Sequence, residues 1–276
     1  PKGVKNMNNI IVVPNKKEDI DIILNKNIKG IIIGVKDLSI YNFELTIEEI
    51  ILLAQSVDKK IIIAMNKMIH NKDIPLVKEV LNKVATSNIE GILFYDIGIF
   101  KIAKDMNIKK ELILSQEHLN ASINSNNFYY NHGLNSTYIT SDITKEEILD
   151  IKNNTKLNIY YTVYGLLPIF YSRRLLLTSY FTYINKEKKD NLYCIYNNDN
   201  KYTIIEKKYG TIIYSPLVNL INHIEELKDI NLVIDLSSTN NIDIIDKYIS
   251  KEKMENTYEG FYNIKTIYRL KGDKDA

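Results

Sequence analysis

Short β-branched runs alternate with amphipathic stretches along all 276 residues, about eight such units are present, and one closed barrel commonly needs roughly this length. Together these observations predict an α/β fold, a (β/α)8 barrel of the TIM type, with a β-hairpin insertion after the seventh strand. The expected limits are a single barrel domain over residues 7–250, including a β-rich insertion at about 190–216, and an edge strand and tail over 251–276.

The strand candidates are NIIVV (9–13), GIIIGV (30–35), KIIIAM (60–65), GILFYD (91–96), ELILS (111–115), TYITS (137–141), NIYYTVY (158–164) and NLVIDLS (231–237). Most are nearly continuous in apolar residues, as strands buried on both faces should be. Helical patterns lie between them, such as TIEEIILLAQSVDKK, IPLVKEVLNKVATSN and TKEEILDIKNN. Thr46 with Glu49, and Thr144 with Glu147, have the spacing of capping boxes and mark two helix starts. After the seventh strand the rhythm breaks. Residues 166–216 read as an apolar helix followed by the strand-like LYCIYNN, KYTIIEKK and GTIIYSP, with Asn and Asp at 197–200 forming a turn. The stretch VNLINHIEELKD reads as an amphipathic helix with His223 on its surface, and FYNIKTIYRL as a closing edge strand.

Composition narrows the function classes. The 36 basic residues nearly balance 34 acidic ones, so no global field advertises nucleic acid or an anionic membrane, and any RNA contact has to be local. No apolar run approaches the roughly 18 residues of a membrane helix and no signal peptide is legible, so a cytoplasmic protein without a membrane partner is expected. A single cysteine, Cys194, excludes an internal disulfide and a multi-cysteine metal site.

Barrel enzymes carry their chemistry at the C-terminal ends of the strands. The third strand is followed by Asn66 and His70, the fourth ends at Asp96, and the fifth leads into Ser115, Gln116, Glu117 and His118. The seventh ends at Tyr164 with Arg173 and Arg174 beyond, and the eighth carries Asp235. His118, Glu117 and Asp96 are the catalytic candidates, because imidazole titrates near neutrality and a carboxylate can orient it or act as a base. A loop histidine bonded to backbone, and an aspartate accepting from a loop amide, are the competing readings. Arg173, Arg174, Tyr164, Gln116, Asn66, His70 and Asp235 are the substrate-binding candidates. A guanidinium fork suits a carboxylate or phosphate, although an internal ion pair to Asp96 or Asp235 would also explain the arginines. Phe128, Tyr129 and Tyr130 could stack bases but read more simply as helix core. The mouth is expected to gather Asp96, His118 and Arg174.

The segment VYGLLPIFYSRRLLLTSYFT resembles the signature of the peptidase U32 family, the collagenase-like proteases. Tyr164-Gly165, Leu167, Tyr171-Ser172, Arg174, Leu176-Leu177, Tyr180 and Thr182 carry the likeness, while the two family cysteines of that segment fall at Pro168 and Leu175. The stretches GVKDLSIYNFELTIEEI, MNKMIHN, FYDIGIFKIAK, SQEHLNASIN and YGTIIYSPLVNLINHIEEL are similar to further family loops in the same order. The eighth strand departs from the acidic-Gly-Arg turn of many members: it reads IDLSS, so only Asp235 carries across.

The resemblance implies either peptidase activity or oxygen-independent or prephenate-dependent hydroxylation of RNA bases and of quinone precursors with a cysteine-bound iron–sulfur cluster. Thiolates are what such a cluster needs, so Cys194 alone holds none and no cofactor is expected. The chain resembles a short, cysteine-poor paralogue linked to 5-hydroxyuridine formation in tRNA. What this implies is an accessory or substrate-binding subunit working with a longer family member, with tRNA and a small carboxylate such as prephenate as further candidate partners. The alternatives are a collagenase-like peptidase, a hydrolase for which no HExxH or nucleophile–histidine pattern is legible, and a stand-alone barrel enzyme acting on a small carboxylate or phosphate.

Overall fold

The computed structural model describes residues 9–41, 43–116, 120–197 and 200–264. Its strands are β1 (Ile10–Val13), β2 (Gly30–Val35), the two-residue β3 (Glu44–Leu45), β4 (Lys60–Met65), β5 (Gly91–Phe94), β6 (Glu111–Ser115), β7 (Ser136–Tyr138), β8 (Asn158–Ser172), β9 (Leu192–Asn197), β10 (Asn200–Lys207), β11 (Gly210–Asn219) and β12 (Asn231–Asp235). Helices are α1 (Asp19–Leu24), α2 (Ile47–Ser56), α3 (Ile74–Ala85), α4 (Ile97–Asp105), α5 (Ile123–Asn131), α6 (Lys145–Asn154), α7 (Leu176–Tyr183) and α8 (Ile244–Ser250).

Parallel pairing runs β12-β1-β2-β4-β5-β6-β7-β8, and β8 pairs with β12 to close an eight-stranded ring. The strands are continuous in apolar residues because both faces are buried. Ile11, Val13, Ile32, Ile62, Ala64, Leu93, Ile113, Tyr160 and Val233 fill the interior, while the alternate residues join the helices in a second, larger apolar layer. Toward the N-terminal end the interior turns polar. There the Glu111 carboxylate accepts from Lys60 and Ser136, and from the Tyr160 hydroxyl at 3.1 Å. Burial pushes the Glu111 carboxyl upward, but those donors outweigh it and hold the group below the usual carboxylate range.

Both expected capping boxes form. Thr46 Oγ1 accepts from the Glu49 amide at 3.3 Å while Glu49 accepts from the Thr46 amide at 3.0 Å, and Thr144 and Glu147 do the same at 3.4 and 2.8 Å.

The insertion differs from expectation. Strand β8 does not give way to a helix after Tyr164; it runs on to Ser172, first parallel to β12 and then antiparallel to β11. An apolar run such as LLPIFY has no period that separates strand from buried helix, and β11 supplies the antiparallel edge that decides the matter. Pro168, which has no amide to donate, sits where the β8–β11 register shifts. Strands β9 and β10 complete a four-stranded antiparallel sheet, and α7 begins only at Leu176. The residues between Asn197 and Asn200, where a turn is expected, lie outside the described residues, although the strands on either side pair as a hairpin.

Glu206 locks α7 to this sheet. Its carboxylate is 2% exposed and accepts from Thr178 N at 3.2 Å, Thr178 Oγ1 at 2.5 Å and Lys188 Nζ at 2.5 Å. Burial raises its pKa, but the Lys188 and Thr178 donors prevail and bring it down to about 2. A carboxyl depressed in the folded state contributes stability above its unfolded value near 4.5, and that stability is lost as pH falls toward 2. Glu206→Gln should therefore cost about 3 kcal/mol at pH 7, because Lys188 is left without its counter-charge. Chemical denaturation at pH 7 and pH 3 tests this; an equal deficit at both values would contradict it.

Near the C-terminus, VNLINHIEELKD is not a helix. Its first residues complete β11, Asn219 Oδ1 then caps a short 3-10 turn over Ile221–His223 by accepting from Ile221 N at 3.2 Å, and turns follow. His223 is held at 2.8 Å from Glu259 instead of lying free on a surface. The described start of the expected closing strand, residues 261–264, is not strand, and its remainder lies outside the described residues. No helix among the described residues is long and apolar enough to cross a membrane.

Candidate functional site at the barrel mouth

At the C-terminal end of the ring a cavity of about 60 Å³ gathers Asn66 just after β4, Ser115 at the end of β6 with Gln116 after it, Thr162 from β8, and Asp235 and Ser237 from β12 and the loop beyond it. Tyr41, Tyr138 and Tyr214 supply aromatic walls, with Leu167 and Pro168 closing the side toward the insertion. At about 10–15 Å³ per water, this space takes a handful of waters or one small polar group.

Asn66 is 5% exposed, and its side-chain oxygen accepts from Ser39 Oγ at 2.8 Å and from the Ile40 amide at 3.1 Å. A backbone N–H can only donate, so this contact fixes which amide atom is oxygen. The Asn66 nitrogen is left as a preset donor beside the cavity.

Asp235 ends β12 and accepts from Ser237 N at 2.8 Å through one oxygen. Burial pushes its carboxyl up to about 6, and the Ser237 hydroxyl and amide offset only part of that rise. Near neutrality such a group can take up or release a proton, which a carboxyl in water does not do. Gly165 explains how the wall fits around it: at φ +144° a β-carbon there would lie 2.8 Å from the Asp235 carbonyl oxygen and 2.9 Å from the Asp235 β-carbon. The glycine lets β8 leave the ring against Asp235 and continue into the insertion.

Of the residues singled out from sequence, Asn66, Gln116 and Asp235 line the cavity together. His70 and Arg173 line a different space, a cleft of about 470 Å³ at the rim between the loop after β4 and the insertion. Tyr164 packs in the apolar layer between barrel wall and helices; its hydroxyl accepts from Asn241 at 3.3 Å and its ring stands edge-on to Tyr248. Asp96 serves as the N-cap of α4, accepting from Gly98 N at 2.7 Å. Arg174 is exposed on the turn before α7, and among the described residues neither arginine pairs with Asp96 or Asp235. The expected gathering of Asp96 and Arg174 at the mouth is thus not what the fold produces, and Glu117 and His118 lie outside the described residues. Phe128, expected in helix core, is 57% exposed and stacks on His132.

Sequence reasoning passed over Ser39, Tyr41, Tyr138, Tyr214 and Ser237. Only Ser237 had a local signal: Asp-x-Ser at a strand end is the spacing of an Asx turn.

The profile of Peptidase family U32 matches residues 15–235, and the chain belongs to that family. Among curated proteins, the tRNA hydroxylation protein P2 of Bacillus subtilis (strain 168) is 27% identical over 186 residues, which is 64% of this chain and 60% of that protein. The chain thus matches under two thirds of that relative's length. A solved structure assigned as a phosphonomutase from Burkholderia cenocepacia J2315 aligns with a TM-score of 0.38 at 6% identity, covering 57% of this chain and 79% of that one, a likeness too low to support inference.

An iron–sulfur cluster does not fit these residues. The family cysteine positions are Pro168, in the cavity wall, and Leu175, 43% exposed, while Cys194 lies apart on β9. One thiol cannot supply the ligand set of such a cluster.

Proposed function

We propose that this chain is a substrate-binding component of tRNA uridine hydroxylation, acting with a longer, cluster-bearing member of the same family. The observation that carries this reading is the mouth cavity, where a preset amide donor on Asn66 faces the same small space as a carboxyl poised near pH 6 on Asp235. A donor beside a group that can accept or donate suits the carbonyl and N–H edge of a planar base, and the cavity is sized for a small group and not for a polymer. Family membership and the likeness to a tRNA hydroxylation protein support the choice of reaction. The absence of a cluster ligand set supports an accessory role in place of self-sufficient redox chemistry.

The test is mass analysis of tRNA nucleosides from cells lacking the gene. Hydroxylated uridine should fall to background and return when the chain is supplied on a plasmid, and the longer family member should copurify with it. Normal hydroxyuridine levels in the deletion strain would overturn the reading.

A further inference from the structure

The rim cleft is chemically distinct from the mouth cavity. Its walls are Lys67, His70, Lys72 and Asp73 from the loop after β4, Asp37 from the loop after β2, and Arg173, Lys208 and Tyr209 from the insertion. Four of these side chains are cationic and two are carboxylates. Both carboxylates are already spent: Asp73 pairs with Lys67 at 3.4 Å and accepts from the His70 amide at 2.9 Å, and Asp37 pairs with Lys208. Lys72 and Arg173 are exposed and have no carboxylate partner among the described residues. The cleft therefore carries a positive excess of two charges, set on two separate elements that face each other.

That excess asks for an anion with oxygens on more than one side. Arg173 presents a fork suited to two phosphate oxygens, and Lys72 adds a point charge from the opposite wall. The two spaces also share their supports. The loop that gives Asp37 to the cleft gives Ile40 and Tyr41 to the cavity, and β8 contributes Leu167 and Pro168 to the cavity before Tyr171 and Arg173 reach the cleft. Arg173, the residue after β8, is five positions beyond Pro168, about 16 Å at the usual strand rise. An RNA chain that sets the polar edge of one base at the cavity would have its backbone within reach of the cleft. We infer that the cleft holds the phosphodiester backbone of single-stranded RNA through Arg173 and Lys72, while the mouth receives the polar edge of a base. The choice of RNA over another phosphate rests on the function proposed above.

The experiment is fluorescence anisotropy of a labelled single-stranded RNA oligomer with the full chain, titrated at several salt concentrations. Arg173→Ala with Lys72→Ala should weaken binding at least tenfold and flatten the slope of log affinity against log salt by about 1.4, two single-strand contacts at roughly 0.7 each. Lys253→Ala, an exposed lysine outside the cleft, should change neither, and Arg173→Lys with Lys72→Arg should keep most of the slope. Unaltered affinity and slope in a double variant that folds normally by circular dichroism would overturn the inference, as would the lack of RNA binding by the unmodified chain. Inorganic phosphate binding with no advantage for the oligomer would assign the cleft to a small phosphate ligand and overturn it too. Because the readout is binding, normal hydroxylation in a deletion strain would remove the proposed function without touching this result.

Discussion

Replacing Asp235 by Asn is expected to make the protein more stable and functionless. In the folded chain the Asp235 carboxyl titrates near 6, against an ordinary value of 3.8. Between those two pH values the folded state keeps a proton that the unfolded chain releases, so stability falls as pH rises through that window and the deficit is complete above 6. Allowing for partial contact with solvent, the penalty at pH 7.5 is about 2 kcal/mol. Asn keeps an oxygen to accept from Ser237 N and carries no charge to desolvate. The melting temperature of Asp235→Asn should therefore exceed that of the unmodified chain by roughly 4–8 °C at pH 7.5, and the gap should close by pH 4. In a complemented deletion strain the same variant should leave tRNA unhydroxylated. A lower melting temperature at pH 7.5, or full hydroxylation, would show that Asp235 is an ordinary structural carboxylate. A group that costs stability where it sits is what a functional constraint produces.

The second large effect is expected at Gly165. Alanine there meets two obstacles at once: a φ of +144° that side chains rarely adopt, and contacts of 2.8 and 2.9 Å with Asp235. Gly165→Ala should cost about 3 kcal/mol, from backbone strain and overpacking together. The strand has to move away from β12, so the distorted residue is Asp235 itself, and its titration midpoint should drop toward 4 as water reaches the carboxyl. Denaturant melts read the first quantity and carboxyl chemical shifts across pH the second. Loss of stability with an unmoved midpoint would mean that the wall yields elsewhere.

Fold and site were unequally legible in the sequence. The ring was readable because each barrel strand is a short β-branched run between capped or amphipathic segments, and Thr46 and Thr144 fixed two helix starts to the residue. The insertion was not, because an apolar run at a barrel rim is compatible with helix and strand alike, and only pairing with β11, some fifty residues away, selects strand. The strand-end rule pointed to Asn66, Gln116 and Asp235, which do line the mouth cavity, since a residue following a barrel strand tends to face the mouth. It misled at Asp96 and Tyr164. Asp96 is followed two residues later by Gly98, whose amide it caps, and Tyr164 lies on the outward-facing side of the alternation, which a continuous apolar run conceals.

The fifteen residues of β8 form one uninterrupted strand from the barrel wall to the outer sheet. Because β8 passes from β12 to β11 at Tyr164 with no intervening loop, limited digestion should not release the inserted sheet as a fragment. A partner that seizes the outer sheet thus pulls directly on the backbone beside Asp235, with the lever built from a single length of chain.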